Sequence, residues 1–542
     1  MDYEQNNSAI KNIEERLQKI EQRILSLEKK FSADFEESNV EQEESTTDTY
    51  ETIEEREERY ESIVGQSWMA LIGTIVIVTG LCFFLSLSYE SLPPIAPALI
   101  GFFLSGVIFG FSVMIRKSYS IISQYMLGGV IFLLYFSTVR LHFFGEAAIS
   151  SLEVEIILLT VVVIINLLLS LRKKSIYLVS ISLILGLITS LLSHNVFFLY
   201  VLLTAISVLS NYLKQNYNWN NIIYFFMPLT FITHLVWFIL YASGPDFENT
   251  MPSVFINSFF VLIYSAIYFA GNIKRKEPFP ETLSIGAYSF FNASFVILII
   301  VVIVSITKIE NSSPNYFLTA LFFMVFATIN WEKEKSKYST FIYAMSSYFA
   351  LSFAIISLNI PNYLVWLCWQ SLLVLATAVW FKSKFIVVAN FFIYAAVLAG
   401  YYITSASIDF FALSFGLVAL LSARILNWNK NRLELTTEQM RNVYLISAFI
   451  AIPYTLYFTM PENFVSISWI VVAVVYYSLS LVLNNKKYRW MSIYTFLLTL
   501  FYVAILGFTS TDTTYKIISF LALGLVLITI SIVYTKRKVI NR

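Results

Sequence analysis

In the segment LLYFSTVRLHFFGE, Arg140 lies about one turn inside the end of an apolar block, followed by His142 and Glu146. A guanidinium, an imidazole and a carboxylate at that spacing supply a fixed cation, a group that titrates near neutrality and an acceptor. Two uses are open for Arg140. Its long stem lets the charge snorkel to lipid headgroups. Alternatively it stands in an outward vestibule, paired with Glu146, Glu153 or Asp409, or holding the phosphate of a lipid-linked ligand. A second set of polar groups lies deeper in other blocks: Asn292, Gln370 and Asn390, with Trp366 and Trp369 as walls of an aromatic pocket beside Gln370. Interhelical hydrogen bonding is the plainer use of such amides.

Other chemistry is missing from the sequence. It contains no Gly-rich phosphate loop followed by Lys, no HExxH, no paired-Cys motif and no Gly-x-Ser-x-Gly elbow. His142, His194 and His234 fall on different blocks and read as structural residues. Cys82 and Cys368 lie inside apolar blocks without metal-ligand spacing, so neither a metal nor a cofactor is expected. No Asp or Glu sits in the middle of a block, where proton relays generally place a carboxylate.

The elements that must position these groups are long apolar segments. From about Trp68 to Tyr534, blocks of roughly 17 to 22 residues repeat between short polar breaks, each long enough to cross the ~30 Å hydrocarbon core as a helix. Eighteen such spans are expected, the first near Trp68 and the last near Tyr515, with the fifth and sixth parted only by Ser193 to Asn195. An apolar content of 58% and a mean hydropathy of +0.70 exceed what a soluble domain hides. The net charge of +1 leaves no surplus of cations for a nucleic-acid partner. The fold class is therefore all-α, a polytopic transmembrane bundle whose main partner is the bilayer.

Charge sets the orientation, because short Lys- and Arg-rich connections stay cytoplasmic. Arg116 and Lys117, Arg172 to Lys174, Lys274 to Lys276, and Lys486 to Arg489 fall on alternate connections, whereas the opposite ones read SGPDFENTMPS, NIPN, SASID and MPEN. Both termini are expected in the cytoplasm. Trp219, Trp331, Trp380, Trp428 and Trp490 sit where a span meets its basic connection, the depth that suits an amphipathic indole. No cleavable signal peptide is expected, since the first 60 or so residues are polar.

Ahead of the membrane, residues 1–31 carry Ile10, Ile13, Leu17, Ile20, Ile24 and Leu27 at alternating spacings of three and four, the seam of a coiled coil. In this register Arg16 meets Glu21, and Arg23 meets Glu28, of a parallel partner, so a parallel homo-oligomer is expected. A single amphipathic helix on the bilayer is the alternative. Residues 32–64 form an acidic linker or helical extension that cannot bury a core. Residues 65–145 hold three Gly-rich spans, 146–535 the remaining spans, and 536–542 a basic tail. Gly73, Gly80, Gly106, Gly110, Gly128 and Gly129 are expected to let the first three spans pack most closely, Gly106 and Gly110 in GxxxG form.

Around these glycines, Glu61, Gly65, Trp68, Ile72, Gly73, Gly80 and Phe83 to Leu85 resemble the start of a bacterial membrane-protein family, domain of unknown function 2339. Pro93, Pro94 and LGGVIFLLYFS from Leu127 to Ser137 are similar too. The resemblance implies a multi-pass protein of a bacterial inner membrane with an N-terminal coiled coil; it assigns no activity. Among functional classes, transport or flipping of a small or lipid-like substrate leads, an oligomeric membrane scaffold is the alternative, and an enzyme ranks last because the outer loops are short.

Overall fold

The computed structural model describes residues 69–87, 92–242, 253–273, 283–308, 311–334, 336–405, 407–429 and 438–506, with residues 521 and 524. The heptad positions Ile10 to Leu27, the acidic linker, the span expected near Tyr515 and the basic tail lie outside these, apart from the two isolated positions. Among the described residues there are seventeen α-helices and no strand. They coincide in order with the first seventeen apolar blocks. Fourteen of them are long and apolar enough to cross a membrane. Ile176–Leu192, Ser313–Ile329 and Lys486–Leu506 fall short of that in length or apolar content.

The chain divides into two compact units, the smaller ending at Val162 and the larger beginning at Val163. The smaller contains α1 (Met69–Ser86), α2 (Ala96–Ile115), α3 (Ser120–Val139) and the start of α4 (Leu152–Arg172). Here α3 is the central element, packing against both α1 and α2. Serines fasten it: Ser112 Oγ donates to the Ser123 carbonyl at 2.9 Å, and Ser123 Oγ donates back to the Ser112 carbonyl at 2.9 Å. Such pairs satisfy hydroxyls where lipid offers no partner.

The expected glycine packing is corrected here. Gly73, Gly80, Gly106 and Gly110 have open space where a Cβ would stand, because they occupy the exposed faces of α1 and α2. Close approach occurs instead at Gly101, where a Cβ would lie 2.2 Å from Ser137 Oγ, and at Gly129, 2.8 Å from Val78 Cγ2; Gly128 is buried. Among these spans α1 and α2 bury 11% and 22% of their apolar windows, the smallest shares among the fourteen, whereas α3 buries 56%. Spacing gives a repeat but not the direction in which its face points. Gly106→Ala is therefore expected to leave stability unchanged or raise it slightly, whereas Gly101→Ala should cost about 1–3 kcal/mol through overpacking. Thermal unfolding of the two purified variants in one detergent checks the contrast.

The larger unit continues α4 and adds α5 (Ile176–Leu192), α6 (Val196–Tyr217), α7 (Asn220–Ala242), α8 (Val254–Ile273), α9 (Leu283–Thr307) and α10 (Ser313–Ile329). A π-helical turn, Asn330–Glu334, leads to α11 (Lys337–Ser357), α12 (Tyr363–Trp380) and α13 (Lys384–Thr404). Then come α14 (Leu413–Trp428), α15 (Glu438–Thr459), α16 (Glu462–Val482) and α17 (Lys486–Leu506). The chain turns back on itself repeatedly: α10 with α11, α12 with α13, α14 with α15 and α16 with α17 are tightly paired neighbours. The short break at Ser193 to Asn195 separates two helices, which pack on one another with Gly186 of α5 facing Ile206 of α6. Asn195 caps α6 by accepting from the Phe198 amide at 3.1 Å. One continuous core links α5 to α17 and is rich in buried tyrosine.

Candidate functional site

In the smaller unit the predicted cluster is a capped helix end. Arg140 follows α3 and is 2% exposed. Its Nε donates to the Leu85 carbonyl at 2.9 Å, and its Nη1 donates to the Phe144 carbonyl. Leu85 lies in the last turn of α1, where carbonyls lack partners within the helix and the macrodipole is negative, so a guanidinium there meets two needs. Gly145 has φ +66°, and a Cβ there would lie 2.7 Å from Arg140 Nη2, so glycine both permits the turn and leaves room for the cation. His142 Nδ1 bonds the Ile149 carbonyl at 2.8 Å, and the Ile149 amide donates to the Leu141 carbonyl at 3.0 Å, closing the loop.

Glu146 and Glu153 are exposed. Among the described residues of this unit no carboxylate forms an ion pair with Arg140. The residue that sequence reasoning missed is Glu155 in the first turn of α4, fully buried, within electrostatic reach of His142, and with neither carboxylate oxygen hydrogen-bonded. Nothing in its sequence neighbourhood separates it from the exposed Glu153 except which side of the helix it takes. Asp409, in the larger unit, is exposed and accepts from Asn362 Nδ2 at 3.0 Å.

The larger unit contains a more extensive polar feature. At the end where α6 begins and α7 ends, Tyr200 donates to Asn257 Oδ1 on α8. The Tyr200 ring stacks on His234 of α7 with centroids 5.5 Å apart, and His234 meets Tyr264 of α8 edge-on at 5.8 Å. One turn farther, Asn292 Nδ2 of α9 donates to the Ser265 carbonyl at 3.3 Å and to Tyr343 OH of α11 at 3.1 Å. Near the opposite, basic end, Ser289 and Ser339 hydroxyls are 2.8 Å apart, and Tyr288 donates to the Tyr268 carbonyl at 3.0 Å. These side chains form a polar seam from one end of the α6–α9 and α11 group to the other.

The seam is dry toward the outside but unsatisfied within. His234, Asn257, Ser258, Tyr264, Ser265 and Asn292 are all 0% exposed. Both His234 ring nitrogens, Ser258 Oγ, Tyr264 OH, Ser265 Oγ and Asn292 Oδ1 have no hydrogen-bond partner among the described residues. Leaving such a group bare costs about 1–3 kcal/mol, so six along one seam call for partners from solvent or a solute. Asn292, a candidate cavity residue in the sequence, is buried in this seam. His234, read from sequence as structural, is its least satisfied member. The signal was present in α8, where Asn257, Tyr264, Tyr268 and Asn272 recur at helical spacing inside an apolar block, marking a polar face.

The other predicted cavity residues are divided. Gln370 is committed to packing, accepting from Ser352 Oγ at 3.2 Å and donating to the Tyr348 carbonyl at 2.7 Å. Trp366 and Trp369 are 54% and 38% exposed, facing out from α12, so the pocket expected beside Gln370 has no such walls. Asn390 is 1% exposed, and its side chain faces the buried Tyr444 hydroxyl.

Fourteen apolar spans among the described residues, all of them helical, and a buried polar interior define the class: a multi-pass membrane protein. Residues 65–461, well over half of the 542-residue chain, match the model of the family described as predicted membrane protein DUF2339, and the chain belongs to that family. No curated protein and no solved structure matches it.

Proposed function

We propose that this protein moves a small or lipid-like solute across a bacterial inner membrane without chemically altering it, along the polar seam of the larger unit. The observation that supports this reading is the run of buried, unpartnered polar atoms from Ser258 through His234 and Tyr264 to Asn292. Hydrocarbon tolerates such groups only where they pair or line a path, and a bundle that merely held partners together has no use for six of them. In the proposed arrangement eighteen spans place both termini in the cytoplasm, and Ile10 to Leu27 join protomers in a parallel coiled coil. The same heptads support the alternative, an oligomeric scaffold, for which the seam is incidental.

Cysteine accessibility separates the two. In a version lacking Cys82 and Cys368, single cysteines at Ser265 and Asn292 are expected to react with a small hydrophilic thiol reagent from at least one side of the membrane. Cysteines at the outward-facing Phe259 and Phe290, 48% and 55% exposed in the protein, should stay unlabelled in lipid. If all four are silent from both sides in a folded protein, the seam is not hydrated and the transport reading fails.

A further inference from the structure

At the basic end of the larger unit, α14, α15 and α17 bring together cations that the seam does not use. Arg424, one turn before the end of α14, holds its guanidinium 4.4 Å from the Trp428 ring centroid. Among the described residues it forms neither a hydrogen bond nor an ion pair, and its Nε is buried. Arg441, in the first turn of α15, donates from Nη1 to Asn427 Oδ1 and lies 3.6 Å from Glu438, while its Nε bonds nothing. Lys487, in the first turn of α17, donates to Glu438 Oε1 at 3.0 Å and to Asn442 Oδ1 at 2.6 Å. Asn427, which Arg441 bonds, follows Arg424 by three residues on α14, so the two arginines are brought to the same end of the α14–α15 pair, where Tyr488 is 4% exposed.

The charge balance is lopsided. Glu438 is shared between Arg441 and Lys487, and the half-buried Arg424 pairs with no anion among the described residues. Cations gathered at one end of a helix pair repel one another unless an acceptor lies near both. The planar donors of a guanidinium match the oxygens of a phosphate, which accepts from two arginines at once. The contact with the Trp428 ring restrains the Arg424 guanidinium. Trp428 and Trp490 are 68% and 55% exposed at this end, the mark of the headgroup depth, and basic pockets between spans at that depth take anionic headgroups.

We infer that Arg424 and Arg441, assisted by Lys487, bind a phosphate group, presented by an anionic phospholipid of the leaflet that this end meets. The site is independent of the seam and stands whether or not the protein transports anything.

The test uses the purified full chain in detergent, titrated with water-soluble short-chain phosphatidylglycerol, with short-chain phosphatidylcholine, and with inorganic phosphate, while thermal unfolding is followed. Phosphatidylglycerol is expected to raise the unfolding temperature saturably and phosphatidylcholine to do so far less. Arg424→Gln should weaken the phosphatidylglycerol midpoint about tenfold, as for loss of one charge-assisted contact. Arg424→Lys, which keeps the charge, should recover part of that loss and shows that the site, not the fold, was affected. If inorganic phosphate alone gives the full effect, the phosphate site stands and its ligand is a soluble anion. Equal shifts with both lipids and none with phosphate, or an unchanged midpoint in Arg424→Gln, would overturn the proposal.

Discussion

Gly271→Ala is expected to lower the stability of the larger unit by more than a single added methyl ordinarily does. Gly271 lies on α8 against α6, and a Cβ there would stand 2.0 Å from Asn211 Oδ1, 2.5 Å from its Cγ and 2.7 Å from its Nδ2. The whole Asn211 amide must therefore move. That amide donates to the Ile267 carbonyl at 2.8 Å, so the movement breaks a bond as well as forcing the helices apart. Overpacking costs about 1–3 kcal/mol, and a buried polar group left unpaired adds about 1–3 kcal/mol. The neighbouring bond from Lys214 Nζ to the Gly271 carbonyl, 3.0 Å, joins the same two helices and moves with them. The measurement is thermal unfolding in detergent beside Gly400→Ala, a glycine with nothing within 4 Å of its Cβ position. Equal unfolding temperatures would show that α6 and α8 do not meet as described.

Arg140→Leu is expected to destabilise the smaller unit by about 3 kcal/mol or more. Two carbonyls, those of Leu85 and Phe144, lose a charged donor, and bonds of that kind contribute about 1.5–3 kcal/mol each. The Gly145 turn also loses the group it encloses. Arg140→Lys should recover only part, because an ammonium cannot reach both carbonyls from one plane. Limited proteolysis of the connection between α3 and α4, compared across the three forms, reads the effect locally. If Arg140→Leu resists cleavage as well as the parent, the clamp is not what holds this end, and a role in an outer vestibule gains ground.

The helices were legible in the sequence because lipid imposes a length: any block near 20 apolar residues bounded by charge has one thing to become. Azimuth was not. The GVIFG motif in α2 has the right spacing, yet Gly106 and Gly110 face away from α1 and α3, and the contact falls on Gly101, which belongs to no short motif. Trp366 and Gln370 are four residues apart on one helix, but the first faces outward and the second is buried. Asn292 was identifiable because an amide inside an apolar block is conspicuous. His234 was set aside because sequence neighbours gave it no partner, and its company, Tyr200 and Tyr264, comes from helices 34 and 30 positions away (234 − 200 and 264 − 234). Glu155 illustrates the same limit, since a first-turn acid is ordinary until tertiary packing seals it.

The pairing of successive helices bears on how the molecule is made. Because α2 with α3, α10 with α11, α12 with α13, α14 with α15 and α16 with α17 are neighbours in sequence as well as in space, most tertiary contacts span short stretches of chain. Low contact order favours fast assembly, and each hairpin can form as it leaves the ribosome rather than waiting for the C terminus. The seam draws on helices that are not consecutive: its α9 to α11 bridge through Asn292 and Tyr343 closes only after α10 has been made. Synthesis therefore delivers the scaffold of α6 to α8 first and completes its polar interior last.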